Sequence, residues 1–216
     1  MKEDILEQLT EDYLHCRGYF TKSNVKYKPD PNAAGYISNQ DSVASDIDVF
    51  AVNPTATGHD RVLVVTCKSW QSGFWPEWEL SRMERRVSGR LGWQRYRELW
   101  IPKWSNALAR EVQRQTGEAS FTHVTAVTIL GDTRTRKSGK KPSVECWLNH
   151  DRFQANLPMA KFAILELQDM VAEIMARMST TVENSPLGRT LQLMYAAGYP
   201  LKPPAHAPDR ASDGLA

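Results

Sequence analysis

Cysteine is scarce in this chain and never clustered: Cys16, Cys67 and Cys146 form no CxxC pair and stand beside no group of histidines. Neither a disulfide framework nor a thiolate zinc site is indicated, which leaves reduced structural thiols. Long apolar runs are also missing. None approaches the ~20 residues that span a bilayer, and the opening MKEDILEQL is acidic and amphipathic, unlike a secretory signal. A cytoplasmic protein without membrane contact is therefore expected. GxGxxG, GxxxxGK[ST] and GxSxG are absent as well, so no nucleotide cofactor and no elbow-type serine hydrolase is expected. His15, His59, His123, His150 and His206 make no spaced pair and are expected at the surface or in turns.

The remaining composition suits one globular domain with a full core, at 216 residues, 41% hydrophobic and 24% charged. Net charge is only +2, but its distribution is uneven: nine Lys/Arg against three Glu lie between Arg82 and Arg114, and RTRKSGKK at 134–141 adds five basic residues without an acid.

Periodicity predicts an amphipathic helix over 2–16, with Ile5, Leu6, Leu9, Tyr13 and Cys16 on one face, then a short polar segment. DIDVFAV (46–52) and RVLVVTCK (61–68) read as two strands joined by the NPTATGHD loop, a hairpin. Residues 77–100 read as helical with a break at SGRLG, and Pro102 opens a further helix ending near Gln115. HVTAVTIL and SVECWL read as strands flanking the basic loop, with Glu145 facing solvent or serving as a ligand at the sheet end. AKFAILELQDMVAEIMARM reads as one amphipathic helix. Ser185 and Pro186 begin a last short helix closed by Gly198. The expected organisation is a single α/β domain over 1–180, a helix within 181–199 packed on it, and a disordered Pro-rich tail over 200–216.

The hairpin places unusual chemistry at its open end. Side chains alternate along a strand, so Asp46 and Asp48 share a face, as do Thr66 and Lys68. With the loop centred near residue 57, Asp48 falls opposite Thr66 and Asp46 opposite Lys68, while Phe50, Val52, Val62 and Val64 continue the same face as core. A lysine beside two carboxylates at a sheet end can be a rim ion pair. It can equally be a Mg²⁺ or Mn²⁺ site, where hard carboxylate oxygens hold the cation beside a phosphate and the ammonium steadies the charge on phosphorus.

SDIDVFAV followed by VLVVTCKSW resembles the core of the PD-(D/E)xK nuclease superfamily, in its Mrr-like and Holliday-junction-resolvase-like branch. Asp48 matches the aspartate that starts the second strand, Lys68 matches the lysine that ends the third, and Asp46 matches an acid two positions earlier. Glu7, Leu14, Gly18 and Tyr19 fit the spacing of the family's first helix, whose glutamate lies near the metal. The resemblance covers roughly residues 3–100. It implies a restriction-endonuclease-like mixed sheet flanked by helices, and a metal-dependent DNA endonuclease hydrolysing phosphodiesters. Asp48, Asp46 and the Cys67 backbone carbonyl would hold Mg²⁺ or Mn²⁺, with Glu7 nearby.

One position departs from the pattern: the family's Glu or Asp two residues before the lysine is Thr66, whose neutral hydroxyl is a poor ligand for a hard cation. Three accounts stand. The remaining groups hold the metal; or the carboxylate has moved to the next helix, where Glu77, Glu79 and Glu84 are available and Glu84 shares a face with Leu80, Val87 and Leu91; or the site is inactive. The last describes a nuclease-fold module that binds DNA or a protein without cutting. A rim ion pair in an unrelated α/β protein is a third hypothesis.

Six of the seven tryptophans lie between Trp70 and Trp104, interleaved with arginines. Trp93, Tyr96 and Trp100 on one helical face suit core packing or an oligomer partner, and a homodimer is one expectation. Arg85, Arg86, Arg90, Arg97 and Arg110 suit phosphate contacts on DNA, as do Lys137 and Lys140 in the basic loop, expected to be a mobile tip. Gln94 matches a glutamine that Mrr-like members carry on this helix.

Overall fold

The computed structural model describes residues 4–87, 90–132, 141–177 and 185–199, the side chains of 86–90 excepted. Helix α1 (Ile5–Cys16) begins where the Asp4 carboxylate accepts from the Leu6 N–H at 2.8 Å, an N-cap that satisfies one otherwise orphaned donor. It buries Leu6, Leu9, Tyr13 and Leu14, whereas Ile5, expected on this stripe, is exposed.

The polar segment that follows is a strand, β1 (Phe20–Tyr27), which pairs antiparallel with β2 (Ser45–Val52). Periodicity missed it because β1 is an edge strand, where polar and lysine side chains are compatible with solvent and discourage further pairing. A helical turn, α2 (Ser38–Asp41), lies between them. The expected hairpin is present: β2 pairs with β3 (Val62–Lys68) in the register Val49↔Val65 through Val52↔Val62. Parallel to β3 runs β6 (Phe121–Val127), and parallel to that β7 (Ala160–Glu166), giving a five-stranded mixed sheet of order β1-β2-β3-β6-β7. All seven residues of β6 are buried, as a central strand covered on both faces requires.

Between β3 and β6 the single interrupted helix expected over 77–100 is instead several short elements. Helix α3 (Pro76–Met83) leads to a small hairpin, β4 (Arg86–Val87) with β5 (Arg90–Leu91), then a 3₁₀ turn (Gly92–Tyr96) and α4 (Arg97–Trp100). Backbone contact at Gly92 explains the break. Its N–H donates to the Arg85 carbonyl at 2.9 Å, and a Cβ there would lie 1.8 Å from the Arg82 carbonyl oxygen. The chain folds back onto the end of α3. Helix α5 (Pro102–Thr116) follows as expected, with Pro at its first turn and Gly117 closing it in the left-handed region.

Two further expectations are corrected. SVECWL is not a strand: Glu145–Leu148 forms a helical turn, α6, that drives Trp147 into the core, and α7 (Asp151–Asn156) follows. AKFAILE is not helical, because pairing with β6 from Phe121↔Ala160 to Val127↔Glu166 satisfies the backbone of a strand otherwise open on that side. Of the described residues of AKFAILELQDMVAEIMARM only Leu167–Arg177 is helix, α8. The final helix, α9 (Pro186–Ala196), begins as expected with the Ser185 hydroxyl accepting from the Gly188 N–H at 2.8 Å. The tail over 200–216 lies outside the described residues, as do 178–184.

The sheet separates two cores. On one face α1, α8 and α9 cover Val49, Ala51, Leu63, Val65, Val124 and Ala126. On the other, Phe50, Val62 and Val64 meet Tyr96, Trp100, Trp104, Trp147 and Phe153, an aromatic layer with edge-to-face contacts such as Tyr96–Trp147 at 5.1 Å. Among the described residues no helix is long and apolar enough to cross a membrane. Gly92→Ala should destabilise the protein by about 1–3 kcal/mol through overpacking against backbone. Urea denaturation checks this, and an unchanged midpoint would mean that the α3 turn is not in this contact.

Candidate functional site

At the open end of the hairpin β2 stops pairing with β3, and a side chain takes over from the backbone. The register that joins Val49 to Val65 carries Asp48 to the level of Thr66. Asp48 Oδ2 accepts from the Cys67 N–H at 2.6 Å and from the Thr66 hydroxyl at 3.3 Å. The N–H and C=O of one strand residue point to the same side, so the Cys67 carbonyl faces the same gap. Across β2, Asn24 stands between the pairs Ser23↔Val49 and Val25↔Ile47, level with Asp48. At φ 55° it is the one non-glycine residue of left-handed backbone among those described. Strain of this kind concentrates at functional sites.

Helix α1 brings Glu7 to this end. Its N-terminus is held by the Ser69 hydroxyl, which donates to Asp4 at 2.8 Å just beyond Lys68. Glu7 is half-buried, and its pKa rises from 4.5 to about 7, through burial first and then through the charges of Asp48, Asp4, Asp46 and Glu11. Asp48 is raised by burial, against which Lys68 and the Cys67 N–H pull it down. Asp46, expected opposite Lys68, is paired with Lys26 of β1 at 2.7 Å and contributes at longer range. The Cys67 thiol is pushed up by burial and stays protonated, so of this residue only the carbonyl is available as a ligand.

Lys68 lies on the aromatic side, its ammonium 5.1 Å from the centre of the Tyr96 ring. Two acids that were not singled out together surround it electrostatically. Glu98 of α4 is buried and raised by desolvation, with Lys68 the main opposing charge. Glu79 of α3 is 2% exposed, accepts from Arg82 at 3.3 Å and also feels Lys68. Glu84, the acid favoured on a continuous helix, is instead exposed just past the end of α3, and its charge acts on His150. Glu77 and Glu145 are exposed as well. His123 is corrected from a surface residue to a core one: it is 1% exposed, 3.8 Å from Glu98, and burial lowers its pKa to about 3, which keeps it neutral. An acid flanked by aromatics in YRELW was the available sign of Glu98.

Of the expected phosphate contacts, Arg85 and Gln94 are exposed. Arg97 is half-buried with its guanidinium 4.7 Å above Trp104, and Arg110 pairs with Asp30 at 3.3 Å. The side chains of Arg86 and Arg90, and Lys137 and Lys140 entirely, lie outside the described residues. Core packing takes Trp100, Trp104 and Trp147, whereas Trp75 and Trp78 are exposed. A cavity of about 420 Å³ opens beside the site between Trp70, Trp78 and Arg95. Another cavity, of about 590 Å³, is lined by Phe121 and Met159 at the other end of the sheet, away from these charges.

Among the described residues no three His, Cys, Asp or Glu side chains converge as a ready metal cluster. Asp48 and the Cys67 carbonyl are nevertheless hard oxygen donors facing one gap, with Glu7 within electrostatic reach of Asp48, and Mg²⁺ commonly takes one or two carboxylates and keeps several waters. The donor set fits that ion. Comparison with known proteins gave no matching family profile, curated protein or solved structure.

Glu7 keeps its proton in the fold to about pH 7 but loses it near pH 4.3 when unfolded. Stability therefore falls as pH rises through that window. Glu7→Gln should gain about 1–2 kcal/mol over the parent at pH 8, allowing for solvent screening, and less at pH 5. Urea unfolding at both pH values measures it. An equal effect at both would remove Glu7 from the carboxylate cluster.

Proposed function

We propose that the chain is a metal-dependent DNA endonuclease of the PD-(D/E)xK type, with a restriction-endonuclease-like fold. The observation that carries this is the meeting of Asp48, the Cys67 carbonyl and Lys68 at one sheet end, with Glu7 delivered from α1. A rim ion pair alone has no use for a further carboxylate held near neutrality among like charges, whereas a cation site does.

Asp48, Glu7 and the Cys67 carbonyl would hold Mg²⁺ or Mn²⁺. The bound ion supplies a lowered water pKa and charge neutralisation at the phosphate. Asp48 is pre-positioned by its hydrogen bond to the Cys67 backbone, which fixes one oxygen and leaves the other for the site. Lys68 offers N–H donors to phosphate oxygens as negative charge grows on them, and Tyr96 holds its ammonium in place. Thr66 provides a hydroxyl that donates to Asp48 and no charge of its own. The metal would then be held by the remaining groups, without a carboxylate at position 66.

Thr66 also favours a second reading, a nuclease-fold module that grips DNA or a partner without cleavage. The two separate experimentally. With Mg²⁺ or Mn²⁺ the protein should cut at least one of supercoiled, linear, single-stranded or branched DNA. EDTA should abolish cutting, and Lys68→Ala should reduce it roughly 100-fold or more with binding retained. No cutting of any substrate, with salt-sensitive binding intact, would decide for the module. Asp48→Asn should also abolish cleavage yet shift stability by less than about 1 kcal/mol, since the amide oxygen still accepts from Cys67. Extensive unfolding of that variant would support a structural ion pair instead.

A further inference from the structure

Beside the candidate site the protein presents aromatic surface that the hydrolytic groups do not use. Trp78 of α3 is 54% exposed, whereas Trp100 and Trp104 are buried. The Arg82 guanidinium lies 4.2 Å from the centre of its ring, and that of Arg95 lies 5.1 Å from Trp70. Between these two Trp–Arg pairs is the cavity of about 420 Å³, within the ~300–1,000 Å³ of small-ligand sites. The buried carboxylate of Glu79 lines it.

The Trp70 wall of the cavity connects to Lys68 through Tyr96. Trp70 meets Tyr96 edge-on at 6.3 Å, and Tyr96 carries the Lys68 ammonium on its ring. Glu79 is within electrostatic reach of Lys68. The loop bearing Trp70 is itself anchored. Gly73, at φ +85°, packs so tightly on Gly131 that a Cβ would lie 1.5 Å from that carbonyl oxygen, and Phe74 bridges to Leu130. A fixed loop, two aromatic faces, Arg95, and Arg82 paired with Glu79 form a preformed slot rather than a loose surface.

We infer that this slot binds an unpaired nucleobase, whose own strand continues to Lys68, so that the substrate is DNA with unpaired nucleotides rather than continuous duplex. The inference rests on the assignment of Lys68 to a phosphate. Planar bases stack on indole and guanidinium faces, and the arginines meet the charge of the backbone. Bases inside a duplex are stacked on one another and reach such a slot only by extrusion.

Binding is measured without cleavage, in EDTA, with a labelled single-stranded oligonucleotide and the blunt duplex of equal length, by anisotropy and tryptophan fluorescence. The single strand should bind more tightly than the duplex and quench tryptophan emission. Trp78→Ala should weaken it about tenfold to a hundredfold with duplex binding unchanged, and Trp78→Phe should retain most of the affinity. Trp78 is exposed, so circular dichroism should show both variants folded. Unchanged single-strand affinity in Trp78→Ala, or equal losses on single strand and duplex, overturns the slot and leaves the surface to a protein partner or to general electrostatics. Trp78-dependent single-strand binding by a protein that never cuts DNA would uphold the slot and overturn hydrolysis alone.

Discussion

The hydrogen bond from the Cys67 N–H to Asp48 governs the arrangement of this end of the protein. Where β2 ceases to pair with β3, an exposed backbone donor and acceptor would be left on a half-buried strand, and such groups must find partners. A carboxylate on β2 satisfies the donor. In doing so it is held in a half-buried position beside Lys68 and close enough to α1 to repel Glu7. The same contact thus terminates the hairpin, orients Asp48 and leaves the Cys67 carbonyl unclaimed by β2.

Charge balance around that contact is uneven by construction. Asp48 feels Glu7 and Asp46, with Lys26 taking up Asp46 at the rim. Lys68 is shared among Asp48, Glu98 and Glu79, none of which is its close ion-pair partner among the salt bridges of the described residues. Carboxyls raised by burial and mutual repulsion weaken a fold, and they are retained most readily where a ligand cation relieves them. Neutral His123 beneath them adds no compensating charge.

The tryptophans divide according to the same geometry. Those on the layer over the sheet, Trp100, Trp104 and Trp147, fill the core with aromatic contacts. Trp70 and Trp78 stand where that layer reaches the Lys68 end, each faced by an arginine. One aromatic-rich segment therefore supplies both the packing that seats Tyr96 and the surface adjoining the site.

Much of this was legible in the linear pattern. Alternation in SDIDVFAV and RVLVVTCK determined the hairpin, its faces and the approach of Asp48 to Thr66, because a one-residue slip would turn the apolar face of each strand away from the core. Ser185–Pro186 and Pro102 marked helix starts through local backbone chemistry alone. Strands β1 and β7 were not legible: an edge strand is polar on its own account, and AKFAILE becomes a strand only because β6 offers it an unpaired side. The same holds for the acids around Lys68. Glu98 and Glu79 approach it because Gly92 turns the chain back onto α3, while Glu84, favoured on an unbroken helix, falls in solvent. Local sequence determined which strands carry the Asp and the Lys, since that depends on neighbours along the chain. Which further carboxylates and aromatics surround them was decided by packing between segments distant in sequence, where burial and backbone closure outweigh local preference.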